Sequence, residues 1–282
     1  MNHSRLVAMT VVFCLLLIPS VLSAGSFSFR LYGGGNYLSG GDLNKGLQGW
    51  ADYWTARRID EGYALQSGSF NPVHLGLGAG GDILFHLTPR LAVGIGTEYI
   101  AASKSTSFAF QAPLESIDWE YVGKPSAVPV KLSVFYFLPL GDRMKVGIHA
   151  GAGYYWADAR IESDTTGSEE INYLIESKAK GIGFHGGIAL EMKLLSNISV
   201  FIEAAGRYLS LSGFTGSVTI DEGAGSWDGT LHYWEATTSF ISRYGYIDLL
   251  GGPPSGSSIF LSRDAKIDFS GASLRIGVVI GI

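Results

Sequence analysis

Residues 128–138 read Val-Pro-Val-Lys-Leu-Ser-Val-Phe-Tyr-Phe-Leu. After Pro139-Leu-Gly-Asp-Arg143 the chain resumes as Met144-Lys-Val-Gly-Ile-His-Ala-Gly-Ala-Gly-Tyr-Tyr-Trp156. Val128, Val130, Leu132, Val134, Tyr136 and Leu138 form an unbroken apolar row at every second position, and the one charge, Lys131, falls on the other row. Val146, Ile148, Tyr154 and Trp156 continue the pattern beyond the break. A period of two is the signature of a strand whose faces meet different surroundings, and Gly-Asp beside Pro is turn chemistry. The segment is therefore a hairpin of two long strands, each longer than the roughly 5–6 residues usual in soluble sheets.

The same alternation recurs in six further stretches, giving eight in all: 27–37, 73–87, 91–101, 128–138, 144–156, 182–194, 198–208 and 272–282. Each has one apolar row, for example Val73, Leu75, Leu77, Ile83 and Phe85 in the second stretch, or Leu274, Ile276, Val278, Ile280 and Ile282 in the last. Ten charged residues lie within these stretches: Arg30, Asp82, Glu98, Lys131, Lys145, Glu191, Lys193, Glu203, Arg207 and Arg275. All ten occupy the row opposite the apolar one, so one face of the sheet tolerates no charge. Aromatic residues cluster where that apolar row ends: Tyr37, Tyr99, Trp156 and Tyr208 at one end, Phe27, Phe85 and Tyr136 at the other. Phe27 and Tyr37 are ten residues apart. At about 3.3 Å per residue and about 45° of tilt they stand roughly 23 Å apart, close to the apolar band of about 25 Å in membrane barrels.

The connections alternate in length. Thr88-Pro-Arg90, Pro139–Arg143 and Leu195-Ser-Asn197 are short; 38–72, 102–127, 157–181 and 209–271 are long. Short periplasmic turns alternating with long outer loops mark a transmembrane barrel. The fold expected is thus all-β: an eight-stranded antiparallel up-and-down transmembrane β-barrel with short periplasmic turns and long extracellular loops. A soluble barrel of lipocalin type shows the same alternation with the faces exchanged. Span length, the aromatic girdles and the glycines of the second row (Gly76, Gly78, Gly147, Gly151 and Gly153) favour the membrane version.

Composition narrows the class. No apolar run of 18 residues occurs beyond the N-terminus, which excludes spanning helices there. A net charge of −5 lacks the basic face that nucleic acid requires. The single cysteine, Cys14, leaves no disulfide framework. Arg5, the apolar run Leu6–Ile18, Pro19 and the small residues Ser23-Ala24 read as a cleaved secretory signal, residues 1–24, before one barrel domain over 25–282.

The 128–138 and 146–155 segments, together with Gly80-Gly-Asp-Ile-Leu-Phe-His-Leu-Thr-Pro-Arg-Leu-Ala-Val-Gly-Ile-Gly96, resemble the small outer-membrane β-barrel proteins of the OmpA/OmpW-type class. The likeness covers the chain after residue 24 as architecture. It implies a bacterial outer-membrane location and outer-membrane lipid as surroundings. It implies no single activity, since the class holds anchors, adhesins, narrow pores and a few lipid-modifying enzymes. The chain departs from the class in ending on Ile282, where an aromatic residue is usual.

The ten charges face the lumen in this reading. They form either an internal salt-bridge network that fills it or the lining of a narrow, slightly cationic channel. His74, His86, His149 and His185 share their row, with only His149 and His185 at neighbouring heights. No cofactor or metal is expected. Neither is an enzyme: His-x-Ser, the pair carried by deacylase barrels, is absent, and His232 with Asp228 reads as a pair of loop residues. Leu43, Leu47, Trp50 and Trp54, spaced 4, 3 and 4 apart, predict a short amphipathic helix over the barrel mouth or at a ligand surface. The last loop, rich in aromatics from Trp227 to Tyr246, has room for a hairpin. The function expected is a non-enzymatic outer-membrane protein, structural or binding a ligand or protein through loops 38–72 and 209–271. A narrow pore for small solutes is the alternative.

Overall fold

A computed structural model describes residues 26–167, 171–221 and 225–282. The expected signal segment lies outside the described residues. In chain order the elements begin with β1 (Ser26–Tyr37), α1 (Asp42–Asp60), β2 (Ala64–Gly68), β3 (Leu75–Thr88), β4 (Leu91–Ala102) and β5 (Lys104–Gln111). Then come three long strands, β6 (Ser116–Pro139), β7 (Met144–Gly167) and β8 (Ile171–Lys193). The chain continues with β9 (Ile198–Tyr208), β10 (Ser210–Leu211), β11 (Thr215–Ile220), β12 (Gly225–Ala236) and β13 (Tyr244–Leu250). It ends with β14 (Ile259–Asp264), β15 (Ile267–Asp268) and β16 (Gly271–Gly281).

Eight strands close into a ring, each antiparallel to the next, in the order β1, β3, β4, β6, β7, β8, β9, β16 and back to β1. The closing ladder pairs Leu31 with Val278, and on the other edge of β1 Arg30 pairs with Asp82. Closure leaves no unpaired edge, the condition for crossing lipid with strands. In its lower tier, up to Trp156 on β7, the outward row of this ring carries no charge. Leu31, Leu77, Ile95, Leu132, Ile182, Ile202 and Ile276 are among its exposed members. The fold is the eight-stranded antiparallel transmembrane barrel. Its short turns are made by local chemistry: Thr88 Oγ1 accepts from the backbone N–H of Arg90 and Leu91 at 3.2 and 3.0 Å. Gly141 takes φ +85°, a conformation that suits glycine.

Two expected loops are strands instead. β6, β7 and β8 run 24, 24 and 23 residues, so segments 102–127 and 157–181 are mostly ladder. The pattern persists, but its polarity swaps. Along β7 the outward row is apolar up to Trp156 and then becomes Asp158, Arg160, Glu162 and Asp164. The inward row becomes Ala157, Ala159 and Ile161, all buried. A search for a charge-free face stops where lipid stops, so it missed the second half of the same strands.

Above the ring this sheet widens. β5 pairs with the upper part of β6, from Lys104 opposite Gly123 to Gln111 opposite Ser116, and β2 pairs with β5. On the other side β11 pairs with upper β8, β12 with β11, and β13 and β14 with β12. The expected hairpin in 209–271 is thus a four-strand extension of the sheet. α1 lies across the hollow: Tyr121 of β6 donates to the Leu47 carbonyl at 3.0 Å, and Trp50 Nε1–H to the Ile247 carbonyl of β13 at 2.9 Å. The main apolar core of the molecule sits here, around Leu43, Leu47, Trp50, Ile161, Ile175 and Phe269. Val73, assigned by its alternation to the outward row, precedes β3 and is buried in this core. Its backbone N–H and C=O are both held by the Asn44 amide, at 2.7 and 3.1 Å, which pulls it under the helix.

Candidate functional site

The barrel lumen holds a closed ring of alternating charges. Arg30 of β1 lies 3.6 Å from Asp82 of β3, and Asp82 lies 3.6 Å from Lys131 of β6. Lys131 is 3.2 Å from Glu98 of β4, and Glu98 is 2.7 Å from Arg275 of β16. Arg275 is 3.2 Å from Glu203 of β9, which returns to Arg30 at 2.6 Å. All six side chains are buried. Each carboxylate has two cationic partners, the pairing that makes burial of charge tolerable. Inward aromatics complete the packing. Lys131 Nζ donates to the Tyr32 hydroxyl at 2.6 Å, and the Arg30 guanidinium lies 4.2 Å from the Phe201 ring centre and 5.2 Å from that of Phe135.

The other four charged positions lie apart from this ring. Lys145 pairs with Glu191 at 3.0 Å near the turn end, with Lys145 over Phe137 at 4.4 Å. Arg207 Nε–H donates to the Phe269 carbonyl at 2.8 Å, and so links the lumen to the structure above it. Lys193 sits exposed at the last residue of β8. Tyr32, Phe135 and Phe201 were not singled out in the sequence, although Phe135 follows Lys131 by four positions on the same row and could have been read from that.

His149 and His185 come within 6.0 Å, ring centre to ring centre. His149 Nε2 is 3.4 Å from Glu203, and His185 Nε2 is 2.8 Å from the Ser133 hydroxyl. His86 pairs with the Ser28 hydroxyl at 2.8 Å. His74 stacks on Tyr37 at 5.0 Å instead of sharing a lumenal row. Among the described residues no group of three or more His, Cys, Asp or Glu is placed to hold a metal. His232 is buried within β12, with Nδ1 3.4 Å from Asp264, while Asp228 lies four residues away on the same strand. Loop residues in the sequence reading, both belong to the sheet.

The girdle residues Phe27, Tyr37, Tyr99, Tyr136, Trp156 and Tyr208 are exposed on the outward row, and Phe85 lies against Phe27 at 5.1 Å. Beside Trp156, the register pairs Lys180, so the first outward charge of β8 coincides with the end of the apolar belt.

A second site lies in the cap. A cavity of about 180 Å³ opens between α1 and the inner faces of β6, β7, β8 and β13. Its walls include Trp50, Trp54, Trp119, Tyr173 and Tyr246. Trp50 lies 5.8 Å from Tyr173 and 5.5 Å from Tyr246, ring centre to ring centre, and Trp54 6.3 Å from Trp119. The sequence pointed to the helix and to the aromatics of the last loop. It gave no sign that Trp119 and Tyr173, in segments read as loops, join them. One carboxylate, Asp248, lines the cavity. Its Oδ1 accepts from the Tyr173 hydroxyl at 2.5 Å and from the Leu249 N–H at 2.7 Å. Burial pushes the Asp248 carboxyl above its ordinary range, and the Tyr173 hydroxyl upward as well. Trp119 Nε1–H donates to Ser163 at 2.7 Å. Arg58, on the same cavity, reaches Glu61 at 2.8 Å and lies 5.6 Å from the Trp54 ring centre.

No protein-family model and no curated protein matches the chain. Among solved structures it is similar to the outer membrane protein OprG from Pseudomonas aeruginosa, at 10% identity over 90% of this chain and 95% of that one, with a TM-score of 0.38. A major outer membrane protein from Thermus thermophilus is similar at 14% identity over 92% and 100%, TM-score 0.38. The outer membrane protease OmpT from Escherichia coli is similar at 10% identity over 92% and 96%, TM-score 0.36. Independently of these likenesses, the closed ring with its uncharged outward belt makes the chain a transmembrane β-barrel protein of the bacterial outer membrane.

Proposed function

We propose that this barrel is a non-enzymatic outer-membrane protein that acts at its external face, binding through the cap, with a lumen that does not conduct. The observation that carries the reading is the ring of six buried charges across the lumen. Every anion in it has two cationic partners. An eight-stranded barrel leaves little more than room for side chains, and here that room is held by a network whose opening would strand charges in a dry interior. The cap supports the same reading from above, since its apolar core fills the mouth and carries a preformed aromatic cavity. The test is conductance of the folded protein in planar lipid bilayers. A silent baseline is expected at physiological salt. Discrete, reproducible steps that persist after deletion of the cap would replace this reading with that of a narrow pore.

A further inference from the structure

Resting on the reading that the cap binds a ligand, we infer that its aromatic cavity is a site for a small organic cation, a primary or quaternary ammonium group. Three features of the cavity select this chemistry. The first is the wall: Trp50, Trp54, Tyr173 and Tyr246 line it, and the negative face of an aromatic quadrupole attracts cations within about 6 Å of a ring centre. The wall already behaves this way at its rim, where Arg57 and Arg58 lie 4.9 and 5.6 Å from the Trp54 ring centre. No protein cation lies over Trp50, Tyr173 or Tyr246 among the described residues.

The second feature is charge. Asp248 lines the cavity, and Arg58 on the same wall pairs with Glu61 at 2.8 Å. The hydrogen bonds from Tyr173 and from the Leu249 N–H both go to Oδ1. Inside a protein such a carboxylate is costly unless something pairs with it. The third feature is size. At about 180 Å³ the cavity falls below the roughly 300–1,000 Å³ of sites for drug-sized ligands, so it suits one compact headgroup. A neutral sugar would gain from the aromatic faces but would leave the carboxylate without its counter-charge.

The experiment is a tryptophan-fluorescence titration of the detergent-folded full chain. Tetramethylammonium and choline chloride are compared with sodium chloride at equal ionic strength, and with 3,3-dimethylbutanol as the uncharged shape of choline. The result expected is a saturable change with both ammonium salts, at least tenfold weaker apparent affinity for the neutral alcohol, and none with sodium. Asp248→Asn keeps an acceptor for Tyr173 and is expected to weaken choline at least tenfold while leaving the alcohol unchanged. Its folding is checked by the faster-migrating unboiled band on a gel, and Trp54→Leu serves as a second variant with the same expected loss. A soluble short-chain phosphatidylcholine, below its micelle concentration, separates the two sources of the group. Binding of that lipid with little binding of free choline assigns the site to a membrane headgroup, and the reverse to a free solute. Equal response to choline and the alcohol, or no saturable response to choline, the alcohol or the short-chain lipid, overturns the inference. Saturation by methyl glucoside in place of choline overturns the cation assignment while leaving binding through the cap in place. Bilayer conductance reports on the closed lumen separately from all of these.

Discussion

Glu203 is the residue on which the lumen turns. It meets Arg30 at 2.6 Å, Arg275 at 3.2 Å and His149 at 3.4 Å, all in a buried setting. Glu203→Ala leaves two guanidinium groups with one carboxylate each, and removing one partner of a buried pair costs about 3–5 kcal/mol. The same substitution at Lys145, whose side chain is 33% exposed, removes a pair that water reaches from one side and is expected to cost less. Urea midpoints of the folded band on unboiled gels measure both, and equal midpoints for the two variants would remove Glu203 from its central place. In the cap the carboxylates behave in opposite ways. Lys124 and Arg160 hold Glu162 below its ordinary range, so its pairing supports the cap above that range and is lost as pH falls through the lowered value. Burial raises Asp248, so its ionisation works against the fold at neutral pH and the penalty fades as pH falls through the raised value. Asp248→Asn is therefore expected to raise the thermal midpoint of the cap at pH 7, with the gain shrinking toward pH 4. A gain independent of pH would mean that burial of the charge is not its origin.

At the scale of one element, α1 shows how closely the cap is fitted. Asp42 in its first turn pairs with Arg263 of β14 and accepts from the Lys266 N–H at 2.8 Å, and Gly62, at φ +93°, ends the helix. Gly49 faces β13 so closely that a Cβ there would lie 1.5 Å from the Gly245 carbonyl oxygen. Gly49→Ala must push helix and strand apart and break the bond from Trp50 to Ile247. The expected outcome is protease cleavage within the cap and red-shifted tryptophan emission, with the barrel band unchanged on unboiled gels. A protected cap in that variant would contradict the close approach. The helix was legible from Leu43, Leu47, Trp50 and Trp54, whose spacing is a property of the sequence. That it needs glycine at 46 and 49 was not, because close approach is a property of the partner strand β13, far along the chain.

For the whole molecule, the ring was legible because lipid imposes one rule along every strand: no charge on the outward row. β1, β3, β4, β9 and β16 were therefore readable to within a residue or two of their ends, and β6, β7 and β8 only over the part that lipid surrounds. The cap obeys the opposite rule, charge outward and apolar inward, and the two rules meet within single strands at Trp156 and Lys180. Each rule alone yields a strand; their junction mimics a loop, and so 157–181 was misread. The lumenal ring was legible as a row but not as a circuit, since Arg30 and Glu203 are 173 residues apart and only closure brings them together. Two tiers built on continuous strands should also separate in stability. Proteolysis of intact cells is expected to trim the cap edges at β2 and β14 while the membrane tier stays whole, and cleavage within the ring strands would argue against a folded barrel.

The unbroken passage of β6, β7 and β8 through the membrane surface has one more consequence. β7 continues eleven residues past Trp156. At about 3.3 Å each and about 45° of tilt, those residues rise roughly 25 Å above the lipid. The cap cavity is thereby held at a set altitude by a stiff mast with no hinge in its described length. The mast is graduated: because side chains alternate, its height can change only in steps of two residues per strand, and a single-residue step would turn every wall of the cavity to face outward. Elongation or shortening of the paired strands in even steps is thus the change that would carry the cap farther from the lipid or nearer to it without exchanging its two faces.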